Sequence, residues 1–242
     1  MPAPKEEIRH RIWALLVEEG VARFPLPIQG RIPNFVGAEG AASRLARLPT
    51  WRRAKVIKAN PDSPQRPVRE RALRAGKTVY MAVPRLRKMK PFIELEPRRL
   101  DDVRRASTIR GAFALGRPVS LDDMPPIDVI VAGSVAVNRV GARIGKGGGY
   151  SDLEYAIGRQ AGLIGEDTVV VTTVHPLQIV EEELEMTEHD IPVDIIVTPD
   201  EVIYTEHRFP KPLGIYWDHL SREKIEHIPV LRAWAEMHLE QA

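Results

Sequence analysis

The hydrophobic and polar positions of this chain follow two different periods, which predict helices and strands in alternation. Near the start, Ile8, Ile12, Leu15 and Leu16 recur at the three- and four-residue spacing of an amphipathic helix. Later apolar runs are short, nearly continuous and rich in β-branched residues, which is typical of strands buried on both faces of a parallel sheet. These runs occupy residues 54–59, 78–83, 128–131, 168–174 and 193–197.

Helical patterns separate most of these runs. Ser63 and Pro64 give a cap and first-turn signal, and Gly76 gives a stop signal, for a helix between the first two strands. The predicted helices cover residues 4–20, 39–48, 63–76, 101–109, 151–161 and 229–240, and residues 201–205 predict an edge strand. This alternation predicts an α/β fold: a mostly parallel sheet with helices on both faces, three layers in all, forming a single domain over residues 1–242.

Composition narrows the class of protein. Of the 242 residues, 43% are hydrophobic and 28% are charged, which is the balance of a folded globular chain rather than a disordered one. The absence of cysteine excludes disulfides, thiolate metal sites and a thiol nucleophile. The sequence shows no signal-peptide core near its start and no apolar run of membrane-spanning length, so it predicts a cytoplasmic protein without membrane contact.

Charge is unevenly distributed, although the formal net charge is only +2. Residues 44–117 hold 21 Lys and Arg against 6 Asp and Glu, whereas residues 166–206 hold 12 acidic residues and no Lys or Arg. A basic half of this kind indicates an anionic partner such as a nucleotide, a polyanionic small molecule or RNA. The alternative is that most of these side chains lie in solvent on helix faces and pair with the acidic segment across the fold.

A glycine-rich segment, RIGKGGGYSDLEY at residues 143–155, lies between a predicted strand and a predicted helix. Four glycines in five residues allow a close approach of the backbone, and the free amides of a helix N-terminus attract an anion. The Walker A loop does not fit, because Gly147 rather than Ser or Thr follows Lys146. The dinucleotide motif fails as well, because Tyr150 stands at its third glycine. The segment is therefore another kind of phosphate loop or a structural turn.

Three segments resemble signature sequences of the 5-formyltetrahydrofolate cyclo-ligase family, the methenyltetrahydrofolate synthetases. The family's Arg-Leu-Gly-x-Gly-x-Gly-Tyr-Tyr-Asp is similar to RIGKGGGYSD at residues 143–152. Lys5 and Arg9 match an amino-terminal Lys-x-x-x-Arg, and HDIPVDIIVT at residues 189–198 resembles His-Asp-x-Pro-Val-Asp-x-Ile-x-Thr. The string GKGGGYSDLEYA is closer to the divergent methenyltetrahydrofolate synthetase domain-containing branch of the family.

This resemblance implies ATP- and Mg²⁺-dependent closure of 5-formyltetrahydrofolate to 5,10-methenyltetrahydrofolate through a phosphorylated formyl intermediate, with release of ADP and phosphate. It implies catalytic roles for Arg143 and Lys146 and ligation of Mg²⁺ by Asp152. The residues implied to bind ATP are Lys5, Arg9, Gly145, Gly147, Gly148, Gly149 and Tyr150. Such residues suit the chemistry, because a transferring phosphoryl group needs positioning and charge neutralisation more than covalent help. The implied partners are thus ATP and a reduced folate.

Two alternatives stay open. Ser151 replaces the second Tyr of the family signature, so in the first alternative the chain binds ATP but acts on another substrate, such as one in a thiamine-linked pathway. In the second, residues 44–117 make the chain a nucleic-acid-binding module, although they contain no RNP-type aromatic motif. Nucleic acid is therefore the weaker prediction, and the sequence sets no expectation for the oligomeric state.

Overall fold

The computed structural model describes residues 3–240, and their side chains as far as residue 237. The helices are α1 (Lys5–Glu18), α2 (Ala38–Leu45), α3 (Pro49–Arg53), α4 (Arg66–Arg74), α5 (Val103–Ala106), α6 (Ile109–Leu115), α7 (Tyr150–Gln160), α8 (Arg222–His227) and α9 (Pro229–Glu240). The strands are β1 (Ala22–Arg23), β2 (Asn34–Phe35), β3 (Val56–Ala59), β4 (Thr78–Ala82), β5 (Phe92–Leu95), β6 (Arg117–Val119), β7 (Val129–Val131), β8 (Ala136–Val137), β9 (Arg143–Ile144), β10 (Val169–Thr173), β11 (Ile195–Val197) and β12 (Val202–Tyr204).

Eight of these strands form one sheet in the order β12-β11-β10-β7-β3-β4-β5-β6. The five central strands, from β11 to β4 in this order, are parallel, whereas β12 at one edge and β5 and β6 at the other pair antiparallel. Ala59 lies opposite Val131, which lies opposite Val171, so the carboxyl ends of β3, β7 and β10 are side by side. The predicted α/β fold with a mostly parallel sheet is confirmed.

Helices cover both faces of the sheet because successive strand side chains point to opposite sides. Ile57 and Ala59 face helices α2 to α6 in one core cluster. Ile130 faces the other side, where α7 and α9 pack, and the core there includes Leu231. A third cluster joins α1 to the antiparallel pair β8–β9. None of the helices in the described part of the chain is long and apolar enough to cross a membrane.

The structure differs from the element prediction in several places: the short elements β1, β2, α3, β8, β9 and α8 were not predicted, and three further differences have a clear cause. Strands β5 and β6 were not predicted, because charged residues and Pro118 interrupt their apolar pattern at the sheet edge. The single helix expected at residues 101–109 is replaced by α5 and α6. The predicted cap at Ser63 is wrong, since Ser63 lies in a 3-10 turn and α4 begins at Arg66. Pro67 explains this start, because in a helix begun at Ser63 it would lose an interior hydrogen bond.

The basic segment becomes one layer of the molecule. Helices α2 to α6, here named the basic layer, carry Arg44, Arg52, Arg53, Arg66, Arg69, Arg71, Arg74, Arg104, Arg105 and Arg110 against only Glu39 and Glu70. The expected pairing across the fold is wrong for residues 3–237: none of their ion pairs joins residues 44–117 to residues 166–206. The positive charge of this layer is therefore left largely without acidic partners.

Candidate active site

The order of strands reverses between β3 and β7. Strand β4 is added on one side of β3, whereas β7 and then β10 extend the sheet on the other side. In open α/β sheets, the crevice outside the carboxyl ends of the strands at such a reversal is where ligands bind. Asn60, Asp62 and Gln65 follow β3 here, and Gly133 and Ser134 follow β7. The topology therefore selects this crevice as the candidate active site.

The glycine-rich loop, residues 145–149, lies at this crevice and leads into α7. Gly147 and Gly149 have φ values of 102° and 66°, which residues with a Cβ rarely adopt. The Nζ of Lys146 donates to Oδ1 of Asp62 at 2.7 Å and so joins the loop to the end of β3. None of the amides of residues 146–149 donates a hydrogen bond to another described residue. The loop thus presents free N–H groups at a helix N-terminus, where an anion is favoured.

Arg143 is buried beneath the loop and holds it to the sheet. Its guanidinium donates to the carbonyl oxygens of Gly133 at 3.0 Å and Ile191 at 3.4 Å, and to Oδ1 of Asp152 at 2.5 Å. The same Oδ1 accepts a hydrogen bond from the amide of Ile191 at 3.1 Å. These bonds compensate a charge that would be costly to bury alone. Arg143 and Asp152 therefore fix the loop, the first turn of α7 and the segment at Ile191 relative to one another.

Helix α1 contacts the loop from the other end of the sequence. The Nε of Arg9 donates to the carbonyl oxygen of Gly145 at 2.7 Å, and its Nη1 pairs with Glu6 at 2.6 Å. A Cβ built on Gly147 would lie 3.6 Å from Cζ of Arg9. Arg9 is therefore both a brace for the loop backbone and a positive charge beside it.

Lys5 anchors the start of α1 to the segment before β11. Its Nζ donates to Oδ2 of Asp190 at 2.5 Å, and the amide and hydroxyl of Thr187 donate to the same oxygen at 2.7 and 2.8 Å. Burial alone would raise the pKa of Asp190, but the hydrogen bonds from Lys5 and Thr187 outweigh it and keep this pKa below its ordinary value. Asp190 is therefore held as a carboxylate that orients Lys5.

Lys224 is a further cation at the loop, which the sequence analysis missed. It lies on α8 with its Nζ 5.8 Å from the ring centroid of Tyr150, a cation–π distance. The same Nζ is 3.2 Å from the position that a Cβ on Gly149 would take. No local pattern connects residues so far apart along the chain, so only the tertiary structure shows this contact.

The crevice behind the loop contains buried polar atoms without partners. Gln65 is fully buried, and neither atom of its side-chain amide has a hydrogen-bond partner among the described residues. The hydroxyl of Thr173, at the end of β10, is also buried and unpartnered there. Nearby, Ser151 donates to Oδ1 of Asn60 at 3.3 Å. Buried polar groups normally have partners, so these atoms mark where a bound molecule is expected to supply them.

The acidic side chains of this site fit Mg²⁺ in part. Residues 3–237 contain no group of three or more His, Asp or Glu side chains arranged to hold a metal ion. Oδ1 of Asp152 is engaged by Arg143 and Ile191, and Oδ1 of Asp62 by Lys146, which leaves the second oxygen of each carboxylate. Proteins often bind Mg²⁺ through one or two carboxylates together with phosphate oxygens and water. The site thus suits a metal that arrives with a nucleotide.

The structure gathers the predicted site residues at the carboxyl ends of the central strands. They are Lys5, Arg9, Arg143, Gly145, Lys146, Gly147, Gly148, Gly149, Tyr150 and Asp152, and their individual roles stay predictions. Asn60, Asp62 and Gln65 were missed. A usable signal for them existed, because polar residues directly after a buried parallel strand are typical of a ligand site.

Comparisons with known proteins found relatives of this chain and a solved structure with a similar fold. Methenyltetrahydrofolate synthase domain-containing proteins of Mus musculus and Homo sapiens are 44% and 42% identical over 232 and 234 residues. These alignments cover 94% and 95% of this chain but only 62% and 61% of the relatives, so the chain spans less than two thirds of their length. The solution structure of Aquifex aeolicus 5,10-methenyltetrahydrofolate synthetase has a TM-score of 0.53 at 21% identity, covering 89% of this chain and 99% of that one, and shows the same fold.

A family model also matches most of the chain. It is described as the 5-formyltetrahydrofolate cyclo-ligase family and covers residues 2–199. This range includes α1 with Lys5 and Arg9, the glycine-rich loop and the segment at Asp190. Apart from α8 with Lys224, the parts that meet at the crevice therefore lie within the matched range. The chain belongs to the 5-formyltetrahydrofolate cyclo-ligase family.

Proposed function

We propose that this protein catalyses the ATP- and Mg²⁺-dependent closure of 5-formyltetrahydrofolate to 5,10-methenyltetrahydrofolate. One observation carries the proposal: four free amides at the N-terminus of α7 lie in the crevice of the sheet among Arg9, Lys146 and Lys224. Such a cradle suits a polyphosphate, because both hydrogen-bond donors and net positive charge face the ligand. Membership of a ligase family supports a phosphate-activated ring closure.

The loop residues would hold and neutralise the phosphates. An amide oxygen is a poor leaving group, so the formyl oxygen first takes the γ-phosphoryl group of ATP, and ADP leaves. The exocyclic amine nitrogen of the substrate then attacks the formyl carbon and gives up its proton, and the C–O bond breaks with release of phosphate. Lys146 is half exposed, and its described partner is Asp62 alone, so it can exchange this carboxylate for a phosphate oxygen. Arg9 and the loop amides stabilise the charge that develops during transfer.

Arg143 and Asp152 have different parts in this proposal. Because the guanidinium of Arg143 is buried and fully engaged with carbonyl and carboxylate oxygens, it positions the loop rather than touching the reacting atoms. Oδ2 of Asp152 has no hydrogen-bond partner among the described residues, and this oxygen is the proposed ligand for Mg²⁺. The metal, when bound, neutralises phosphate charge.

The unpartnered atoms of Gln65 and Thr173 support a substrate with its own hydrogen-bonding edge. A primary amide offers one donor and one acceptor side by side, and a reduced pterin ring presents both kinds of group. An analogue that lacks the matching hydrogen-bonding groups would leave these buried atoms unpaired. Such a site therefore discriminates strongly against such analogues. Ser151 leaves the first turn of α7 with a small side chain beside Asn60, so a different heterocycle is the competing proposal.

The test measures product and nucleotide turnover separately. We expect Mg-ATP and 5-formyltetrahydrofolate to give the methenyl absorbance together with ADP, and Lys146→Ala to reduce turnover by about tenfold or more, as for loss of one charged transition-state contact. Lys90→Ala, an exposed lysine in a loop before β5, is the matched control and should retain full activity. ATP binding without folate-stimulated ADP release would reject the folate and favour another substrate. Absence of ATP binding would reject the whole proposal.

A further inference from the structure

A second cluster of cations surrounds a cavity at the amino ends of the strands, away from the glycine-rich loop. The cavity has a volume of about 460 Å³ and lies between α3, the end of α4 and the residues that lead into β4. Its charged lining residues are Arg52, Arg71, Arg74 and Lys77, Trp51 and two alanines complete the wall, and no acidic side chain lines it. The cavity is therefore strongly electropositive.

Arg71 is the least satisfied of these cations. It is half-buried, its Nε is inaccessible to solvent, and this Nε has no hydrogen-bond partner. Its guanidinium makes no hydrogen bond or ion pair with another side chain or carbonyl group in residues 3–237. An unpaired donor of a charged group is costly, so an anion in the cavity toward which the half-buried guanidinium of Arg71 can turn would stabilise this position.

Lys77 brings a second charge into the same space. Its Nζ donates to the carbonyl oxygen of Ala54 at 2.5 Å and lies 3.5 Å from that of Arg52 and 5.9 Å from the centroid of the Trp51 ring. An ammonium group has three donors, so one remains for a ligand. Burial lowers the pKa of Lys77 against the opposing effect of Asp128, and a bound anion would offset this cost.

Local helix electrostatics do not account for the whole cluster. Arg71 and Arg74 lie in the last turn of α4, where cations are favoured by the helix dipole, and Arg74 also pairs with Glu70 at 2.7 Å. Arg52 and Lys77 lie outside this helix, yet they line the same cavity. Arg52 lies in the last turn of α3, and Lys77 contacts the carbonyl groups there, so the dipole of α4 alone does not explain why four cations line one cavity.

We propose that this cavity is a second anion site that binds a phosphorylated ligand. Arginine matches phosphate because its planar fork donates two parallel hydrogen bonds, and four cations against one nearby glutamate suit a group with at least two negative charges. The volume lies within the usual range for small-ligand sites, about 300–1,000 Å³. The same chemistry would also accept the backbone phosphates of a nucleic acid that lies on the basic layer. This site is independent of the proposed cyclo-ligase activity.

The test uses two probes, inorganic pyrophosphate and a single-stranded RNA oligonucleotide, with binding measured by calorimetry and by the shift in melting temperature. We expect Arg71→Gln to weaken binding by about tenfold or more, because a hydrogen bond to a charged group is lost. Pyrophosphate binding that Arg71→Gln weakens identifies a small phosphorylated ligand at the cavity. Binding of RNA alone identifies a nucleic-acid backbone as the source of the phosphate.

Three further variants make the result specific. Arg52→Gln should weaken binding as well. Agreement between the two variants excludes misfolding of Arg71→Gln as the cause of its weaker binding. Arg110→Gln removes an exposed arginine of the same basic layer outside the cavity and should retain binding. Lys146→Ala removes the cation of the glycine-rich loop, so it weakens only the pyrophosphate held at that loop, and the binding that Arg71→Gln weakens should persist in it. The proposal is overturned if neither probe binds, if Arg110→Gln weakens binding as much as Arg71→Gln, or if only Lys146→Ala abolishes it.

Discussion

Lys58 and Glu154 form an ion pair inside the molecule, with side chains only 3% and 7% exposed. The pair joins β3 to α7, directly below the turn that carries the glycine-rich loop. Removing one member leaves a buried charge without its partner, which typically costs about 3–5 kcal/mol. We therefore expect Glu154→Gln to lower the free energy of unfolding by that amount, measured by urea denaturation.

The double variant Lys58→Met, Glu154→Leu is the control for this prediction. Replacing both charges by apolar groups of similar size is often neutral, because the desolvation penalty disappears together with the attraction. We expect most of the lost stability to return. A double variant as unstable as Glu154→Gln would show that packing at these positions, rather than the isolated charge, determines the cost.

Asp190 contributes to the decrease in the free energy of unfolding at acid pH. Its pKa is lower in the folded chain than in the unfolded chain, so its contribution is complete above the unfolded value, about 3.9, and is lost as the pH falls through the lower folded value. We expect Asp190→Asn to be about 1–2 kcal/mol less stable near neutral pH and to lose less stability than the wild type on acidification. Urea unfolding across the acid range measures both. Asp167→Asn, which changes an exposed carboxylate, should follow the wild-type profile.

At the scale of the element, the loop depends on glycine for its backbone conformation. Gly147 has φ 102°, while a Cβ there would meet Arg9 only at an ordinary contact distance of 3.6 Å. Gly147→Ala should therefore strain the backbone rather than cause a clash, at a cost of roughly 1–2 kcal/mol. We expect weaker binding of a non-hydrolysable ATP analogue in calorimetry. Gly165→Ala is the matched control, because a Cβ there meets no atom within 4 Å, and equal losses in both variants would contradict the prediction.

The elements that were predictable from the sequence are those whose environment is uniform along their length. Strands β7, β10 and β11 are buried on both faces, so their apolar runs are continuous and their positions followed directly. Strand β6 lies at an edge, where Pro118 and Arg117 need no apolar partner. Strand β6 forms only by pairing with β5 in the folded chain, and no pattern in its own sequence predicts this pairing.

The same distinction applies to the candidate active site. The glycine-rich loop was visible because its composition is itself the signal. The burial of Arg143 was not, since arginine is rarely buried and its acceptors lie 9, 10 and 48 residues away with no spacing that predicts them. Gln65 was missed for a related reason: only the completed crevice shows that its amide lacks partners.

For the whole molecule, ligand binding should couple distant segments. The amides of residues 146–149 have no acceptor in the described structure, so they are expected to exchange their hydrogens rapidly. A bound nucleotide would protect them, and α1 should gain protection with them because Arg9 holds the same loop. Hydrogen exchange with and without Mg-ATP measures this. Edge strand β12 serves as the internal reference, and equal protection of β12 would indicate general stabilisation instead of a local site.

The contacts of α1 also determine when, during synthesis, the candidate active site is completed. Arg9 reaches its partner 136 residues later and Lys5 reaches its partner 185 residues later. During synthesis, α1 therefore lacks these two partners until residues 145 and 190 have been made, and its apolar residues Ile8, Ile12 and Leu16 stay incompletely buried until then. A nascent chain that ends before Asp190 has the whole glycine-rich loop but lacks the anchor for Lys5. The proposed nucleotide site is thus completed only when α1 docks against Gly145 and Asp190, which are made long after it.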